Sequence, residues 1–124
     1  MMTPAASWLA QVRHDLVKRL LWPARDRHAL GGPVQPGELV PTLVDDEGAV
    51  VAAPALWTTL RAGAPAAWPP AILDAFAAAV TAADAAARAD DVAGVLQLEV
   101  AFAALTSACQ SPTPGLAISK ERIR

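Results

Sequence analysis

Residues 71–109, AILDAFAAAVTAADAAARADDVAGVLQLEVAFAALTSAC, decide the fold that the sequence predicts. Alanine occupies 16 of these 39 positions, and it has the highest helix propensity of any residue. Its short side chain lets helix backbones approach closely, yet it supplies no nucleophile, base or metal ligand. The Asp90-Asp91 pair interrupts the stretch and can cap a second helix. We therefore expect a helical hairpin, with one continuous helix as the alternative.

The two predicted helices of this hairpin differ in their apolar surfaces. The first follows Pro69-Pro70 and carries one apolar stripe at helical spacing. That stripe consists of Ile72, Leu73, Phe76 and Val80. The second helix is apolar on nearly all sides, which is typical of a helix buried against two or more neighbours. We expect its Leu98 and Phe102 to lie in the core.

The N-terminal residues predict one amphipathic helix. Thr3-Pro4 has the form of an N-cap followed by proline at the first helical position. Apolar residues then recur at helical spacing. They are Trp8, Leu9, Val12, Leu16 and Leu20. Because Pro23 disfavours the α region at the residue before it, we expect the helix to end within two residues of Trp22.

Residues 39–52 predict a β-hairpin, because two apolar stretches flank the turn sequence Asp45-Asp46-Glu47-Gly48. Aspartate stabilises turns through bonds between its side chain and the backbone, and glycine supplies the positive φ that such a turn needs. Pro41 lacks an amide donor, so its strand should lie at an edge. A short helix is expected to begin at Pro54.

These elements together predict a mainly α (α+β) fold. We expect residues 1–110 to form a single small helical domain. It would contain one N-terminal amphipathic helix, one β-hairpin near residues 39–52 and a C-terminal antiparallel helical hairpin. We interpret residues 111–124 as a Pro/Gly linker followed by a C-terminal peptide. A chain of this length buries roughly two thirds of its unfolded surface, so the domain needs no disulfide or metal to fold.

Location and membrane association are predicted from three features. Residues 1–30 mix charged with apolar residues and lack the continuous apolar region of a signal peptide. The most apolar window, residues 92–109, contains Glu99, which is costly inside a bilayer. The lone Cys109 cannot form an intramolecular disulfide, which fits a reducing compartment. We expect a cytoplasmic protein without a membrane span.

The net charge of −2 conceals an uneven distribution, with +3 in residues 1–28, −7 in residues 29–110 and +2 in residues 111–124. One alternative function is binding of nucleic acid or an anionic surface through the basic N-terminal helix. Its candidate residues are Arg13, Lys18, Arg19, Arg25 and Arg27. Around an α-helix Lys18 and Arg25 share a face, but the others do not join it cleanly. Nucleic acid is therefore an unlikely partner on the sequence alone.

The sequence offers little of the chemistry that catalysis or metal binding requires. His14 and His28 have no cysteine or carboxylate at metal-ligand spacing, and nothing near Cys109 would activate its thiol. Asp45-Asp46-Glu47 lacks the alternating ligand spacing of a calcium loop. We predict no catalytic residue, cofactor or metal. The alternative, a small enzyme or ligand-binding domain, would need Glu99 and a histidine in one pocket.

The leading hypothesis is a non-catalytic accessory or adaptor protein that binds a larger protein partner through an apolar helical surface and its tail. A second copy of the chain is the other possible partner. Tryptophan can complete a core or anchor an interface, and the tail combines apolar with basic residues in a way that suits an acidic groove. The predicted partner-binding residues are Trp8, Trp22, Leu116, Ile118, Arg122 and Ile123.

Deleting residues 112–124 should reduce partner capture while leaving the melting temperature almost unchanged. The physical reason is that Pro112, Pro114 and Gly115 cannot extend the preceding helix, so the tail is separated from the body. Thermal unfolding and co-purification measure the two effects. Unchanged capture would contradict docking by the tail, and a large loss of stability would show that the tail packs on its own domain.

Overall fold

A computed structural model describes residues 4–65 and 68–110. Its fold is mainly helical with one two-stranded antiparallel hairpin, which confirms the predicted fold class. The elements in chain order are α1 (Pro4–Val12), a π-helical segment (Arg13–Val17), α2 (Lys18–Leu30), β1 (Leu43–Val44), β2 (Val50–Val51), α3 (Ala53–Arg61), α4 (Pro70–Arg88) and α5 (Val92–Gln110).

The alanine-rich stretch forms two helices and not one continuous helix. The break lies at Asp90, whose φ of 59° is left-handed, and its carboxylate accepts a hydrogen bond from the Gly37 N–H at 3.0 Å. Asp91 caps α5 as predicted, because its carboxylate accepts a hydrogen bond from the Gly94 N–H at 3.0 Å. The predicted helical hairpin is therefore confirmed.

The α4–α5 contact is close enough to require glycine at one position. A Cβ atom built on Gly94 would lie 2.7 Å from the Ala86 Cβ and 2.5 Å from the Asp91 carboxylate. Both distances are shorter than real Cβ contacts allow. Alanine and glycine thus let the two backbones approach, and the buried side chains of α4 repeat along a single stripe. These are Leu73, Phe76, Val80, Ala83 and Ala87.

The predicted end of the N-terminal helix is wrong. The backbone remains helical from α1 through the π-helical segment, and Pro23 lies inside α2, which ends at Leu30. Proline costs the helix one hydrogen bond and a steric clash. The helix continues because residues beyond Pro23 gain contacts in it: Ala24 is fully buried, and Arg27 donates hydrogen bonds to Glu38 and Gly31. The chain leaves the helix at Gly31, whose φ is 73°.

The loop after α2 is held by Arg27, one of the candidate residues of the nucleic-acid alternative. The Arg27 Nε donates to the Glu38 carboxylate at 2.7 Å, and its Nη1 donates to the Gly31 carbonyl at 2.9 Å. Two hydrogen bonds hold the pKa of Glu38 below its ordinary value. The larger effect comes from the Arg27 side chain and the smaller one from the Gln35 backbone N–H. This arrangement places the fully buried Leu39 beneath the loop.

The β-hairpin is shorter than residues 39–52, since its ladder pairs only Leu43 with Val51 and Val44 with Val50. Its turn follows the predicted chemistry. The Asp45 carboxylate accepts hydrogen bonds from the N–H groups of Glu47 and Ala49, both at 2.9 Å, and Gly48 has a φ of 83°. Leu43 and α3 supply the packing that a ribbon of this size needs.

A row of aromatic rings crosses the core from α1 to α5. Edge-to-face pairs join Trp8 to Trp57 at 5.7 Å, Trp57 to Phe76 at 4.9 Å and Phe76 to Phe102 at 6.1 Å between ring centroids. Leu98 is buried, as predicted. Phe102 packs against the core but is only partly buried, so the expectation for this residue was too strong.

One helix of the described residues, α4, is long and apolar enough to cross a membrane by length and composition. From the sequence, residues 92–109 were expected to be the most apolar window. A core helix of a soluble protein meets the same criteria, and the buried stripe of α4 packs against α3 and α5. The expected lack of a membrane span stays a prediction.

Replacing Pro23 by alanine should raise the free energy of unfolding by about 1–2 kcal/mol, because alanine restores an amide donor and removes the steric clash inside α2. Chemical denaturation measures the change. Pro4→Ala is the matched control, since Pro4 opens α1 at a position where no helical hydrogen bond is lost. Equal effects of the two substitutions would contradict a cost specific to the helix interior.

Replacing Gly94 by valine should lower the free energy of unfolding by about 1–3 kcal/mol, because the added side chain must push α4 and α5 apart at Ala86. Ala93→Val places the same β-branched residue at the neighbouring exposed position of α5 and controls for helix propensity. Urea unfolding of both variants gives the comparison. If Ala93→Val were as destabilising as Gly94→Val, close packing at this point would not explain the loss.

Candidate functional site

The π-helical segment determines which basic side chains share a face. The Lys18 N–H donates to the Arg13 carbonyl, five residues earlier, so this turn holds one residue more than an α-helical turn. In a regular α-helix, residues five apart differ by about 140° around the axis. The extra residue brings Arg13 toward the face of Lys18, and both line one groove with Arg25. Regular α-helical spacing, in contrast, predicts that Arg13 lies away from this face.

This groove lies between the N-terminal helix and α5, and we call it the α2–α5 groove. Its floor is apolar, formed by Val17, Leu21 and Phe102. The part of the groove above this floor has a volume of about 100 Å³. The groove continues along α5 over small side chains. The complete lining is Arg13, Val17, Lys18, Leu21, Arg25, Glu99, Phe102, Ala103, Thr106 and Ser107.

Cations dominate the rim of the groove. Arg25 forms an ion pair with Glu99 across the groove, and their side chains are 46% and 53% exposed. Glu99 is therefore an exposed and paired carboxylate. Within residues 4–65 and 68–110, neither Arg13 nor Lys18 forms an ion pair. The rim therefore carries two positive charges that no acid of the described chain neutralises.

Trp22 stands beside the groove and is 56% exposed. The Lys18 Nζ lies 5.7 Å from its ring centroid, a cation–π distance that keeps the ring and the rim cation together. Tryptophan is among the residues most enriched at binding hot spots, where its large ring anchors the contact. Of the predicted partner-binding residues that the structure describes, Trp22 is the one with an exposed face.

Trp8 lies in the core, in contrast. Its indole N–H donates to the Leu60 carbonyl at 2.8 Å, and its ring packs at 5.2 Å from Trp68. Core packing, the other role considered for the tryptophans, accounts for this residue, which has no exposed face for a partner. The four predicted tail residues lie outside the described residues. They are Leu116, Ile118, Arg122 and Ile123.

The groups that the enzyme alternative requires do not meet in the α2–α5 groove. Glu99 is engaged by Arg25, while His14 and His28 are exposed and line none of the described depressions. Among residues 4–65 and 68–110 there is no cluster of three metal-ligating side chains. The Cys109 side chain lies outside the described part of the chain.

A second depression, of about 300 Å³, lies on the opposite side of the N-terminal helix. Arg19 lines this depression, together with Asp15, Asp45 and Asp46. Arg27 is engaged by Glu38. The five basic residues of the nucleic-acid alternative are therefore divided, with three on the groove and two elsewhere. They do not form one continuous basic face.

Sequence reasoning missed the feature that organises the groove. The residues of the π-helical segment, RHDLV, carry no signal that distinguishes them from an α-helical turn. π-turns inside α-helices occur frequently at functional sites. The Thr106 hydroxyl, which lines the groove, is buried and has no hydrogen-bond partner in the described residues. The apolar sequence of α5 predicts a buried helix, but it does not predict that the Thr106 hydroxyl is buried without a partner.

Comparison with known proteins gave no match, either to a family model, to a curated protein or to a solved structure. The interpretation of the groove therefore rests on its own geometry, burial and charge.

Proposed function

We propose that this protein is a non-catalytic accessory or adaptor protein that binds a larger protein partner through the α2–α5 groove and Trp22. The observation that carries the proposal is the half-exposed Trp22 ring beside an apolar floor with a cationic rim. Interfaces of this kind combine an aromatic anchor with a central apolar patch and a polar rim.

The lining of the groove supports binding over catalysis. Catalytic sites bring several polar groups together around a reacting atom. Here the floor consists of Val17, Leu21 and Phe102, and the one carboxylate at the rim is already paired with Arg25. Such a surface suits recognition of another protein, in which apolar side chains supply affinity and rim charges supply specificity.

The proposal also assigns a role to the C-terminal tail and a location to the protein. The tail would make a second contact with the same partner, because its apolar residues and positive charges suit an acidic docking site. A cytoplasmic location fits a chain with a single cysteine. Two linked contacts would raise the overall affinity through effective concentration.

Replacing Trp22 by alanine should reduce partner capture by at least about tenfold, because a tryptophan hot spot contributes about 2 kcal/mol or more to binding. Tagged wild-type protein and the variant are expressed in the native host, and the co-purified proteins are quantified by mass spectrometry. The proposal expects one protein to be captured in a fixed ratio by the wild type and lost with Trp22→Ala.

Val50→Ala is the matched control, because Val50 is 73% exposed on the β-hairpin and lies away from the groove. Both substitutions should change the free energy of unfolding by less than about 0.5 kcal/mol, as is usual for exposed sites. Sedimentation of the purified protein tests self-association at the same time. Capture that is equal for wild type and Trp22→Ala would exclude the groove as the binding surface.

A further inference from the structure

Resting on the proposed function, we infer that the α2–α5 groove binds an acidic amphipathic helix of the partner protein. One bulky apolar side chain of that helix fills the pocket at Phe102, and its carboxylates face Arg13, Lys18 and Arg25. Three properties of the groove lead to this occupant: the nature of its walls, the spacing of its cations and the sign of the surrounding charges.

The walls of the groove are two helices with an apolar floor between them. Val17 and Leu21 are almost fully buried, so the partly exposed Phe102 supplies most of the apolar surface that a ligand can reach. A groove between helices is typically filled by a third helix, whose apolar face inserts side chains at i, i+3 or i+4. The pocket of about 100 Å³ accommodates one such side chain, and the more open part of the groove along α5 leaves room for the rest of the helix.

The cations repeat along the helix at a spacing that another helix can match. Lys18 and Arg25 are seven residues apart, which is two helical turns or about 10 Å along the axis. Arg13 continues this row because of the π-helical segment. Carboxylates at positions i, i+3 or i+4, and i+7 of a facing helix have the same spacing. The row therefore favours a helical ligand with acids on one face.

The surrounding charges decide between the possible occupants. The tail of this chain carries Lys120, Arg122 and Arg124, which would be repelled by the cationic rim. A nucleic acid would pair its phosphates with the cations but would leave the aliphatic part of the floor, at Val17 and Leu21, without an apolar partner. An acidic helix places its carboxylates on the cations and its apolar face on the floor.

The test uses the full-length protein and a fluorescein-labelled synthetic peptide of roughly fourteen residues, about four helical turns. The peptide carries glutamates on one helical face and leucines with one phenylalanine on the other. Fluorescence anisotropy at low salt measures its dissociation constant. A peptide of the same composition in shuffled order should bind at least about tenfold more weakly, and a lysine-for-glutamate version should bind more weakly still.

Two adjacent substitutions test the face of the helix. Lys18→Glu should weaken binding of the acidic peptide by at least about tenfold, because it places a like charge against the ligand. Arg19→Glu makes the same change one residue later, in the opposite depression, and should change binding less than about twofold. Melting temperatures verify folding, and if either variant unfolds, Lys18→Gln and Arg19→Gln give the same comparison.

A labelled oligothymidylate of roughly ten nucleotides serves as the competing probe. The inference is overturned if the oligonucleotide binds more tightly than the acidic peptide, if the lysine peptide binds equally well, or if no peptide binds. It is also overturned if Lys18→Glu and Arg19→Glu have equal effects. Partner capture that depends on Trp22 would then still stand, so failure of the inference and failure of the proposed function are distinguishable.

Discussion

The apolar circumference of α5 is the constraint on which the rest of the structure depends. Helix α4 covers one side through close alanine and glycine contacts at Ala86 and Gly94, and α2 covers another. Helix α2 makes this second contact and continues past Pro23 to Leu30. Beyond the proline it adds the buried Ala24 and the hydrogen bonds that Arg27 makes to the following loop, which act against the local cost of Pro23.

The same helix continuation produces the surface to which we assign function. Because α2 lies along α5, the two helices leave a groove at Leu21 and Phe102, and the π-helical segment brings Arg13 to its rim. The Arg25–Glu99 pair on this rim is about half exposed, so solvent screening leaves it little weight in stability. The rim charges therefore contribute little to folding, which is consistent with the binding role that we propose for them.

Two of the tryptophans, Trp8 and Trp57, belong to the core, whereas Trp22 lies beside the groove. Trp8 and Trp57 are buried in the aromatic row, where the Trp8 indole N–H connects α1 to the end of α3 through the Leu60 carbonyl. Trp22 is half exposed and lies next to Lys18, which lines the groove. Residue type alone did not separate these roles, since all of these rings occupy similar positions near element ends in the sequence. Burial assigns them, because it depends on which helix packs behind each ring.

The sequence by itself determined the mainly helical class and the Asp45 turn, and it favoured a break at Asp90-Asp91 over one continuous helix. These features depend on local preferences: the helix propensity of alanine, capping by aspartate and the positive φ of glycine. Only the tertiary structure decided that α2 runs through Pro23, that Arg13 joins Lys18 and that Phe102 is partly exposed. These features involve contacts between residues far apart in the chain, such as those of α2 with α5, which no short stretch of sequence encodes.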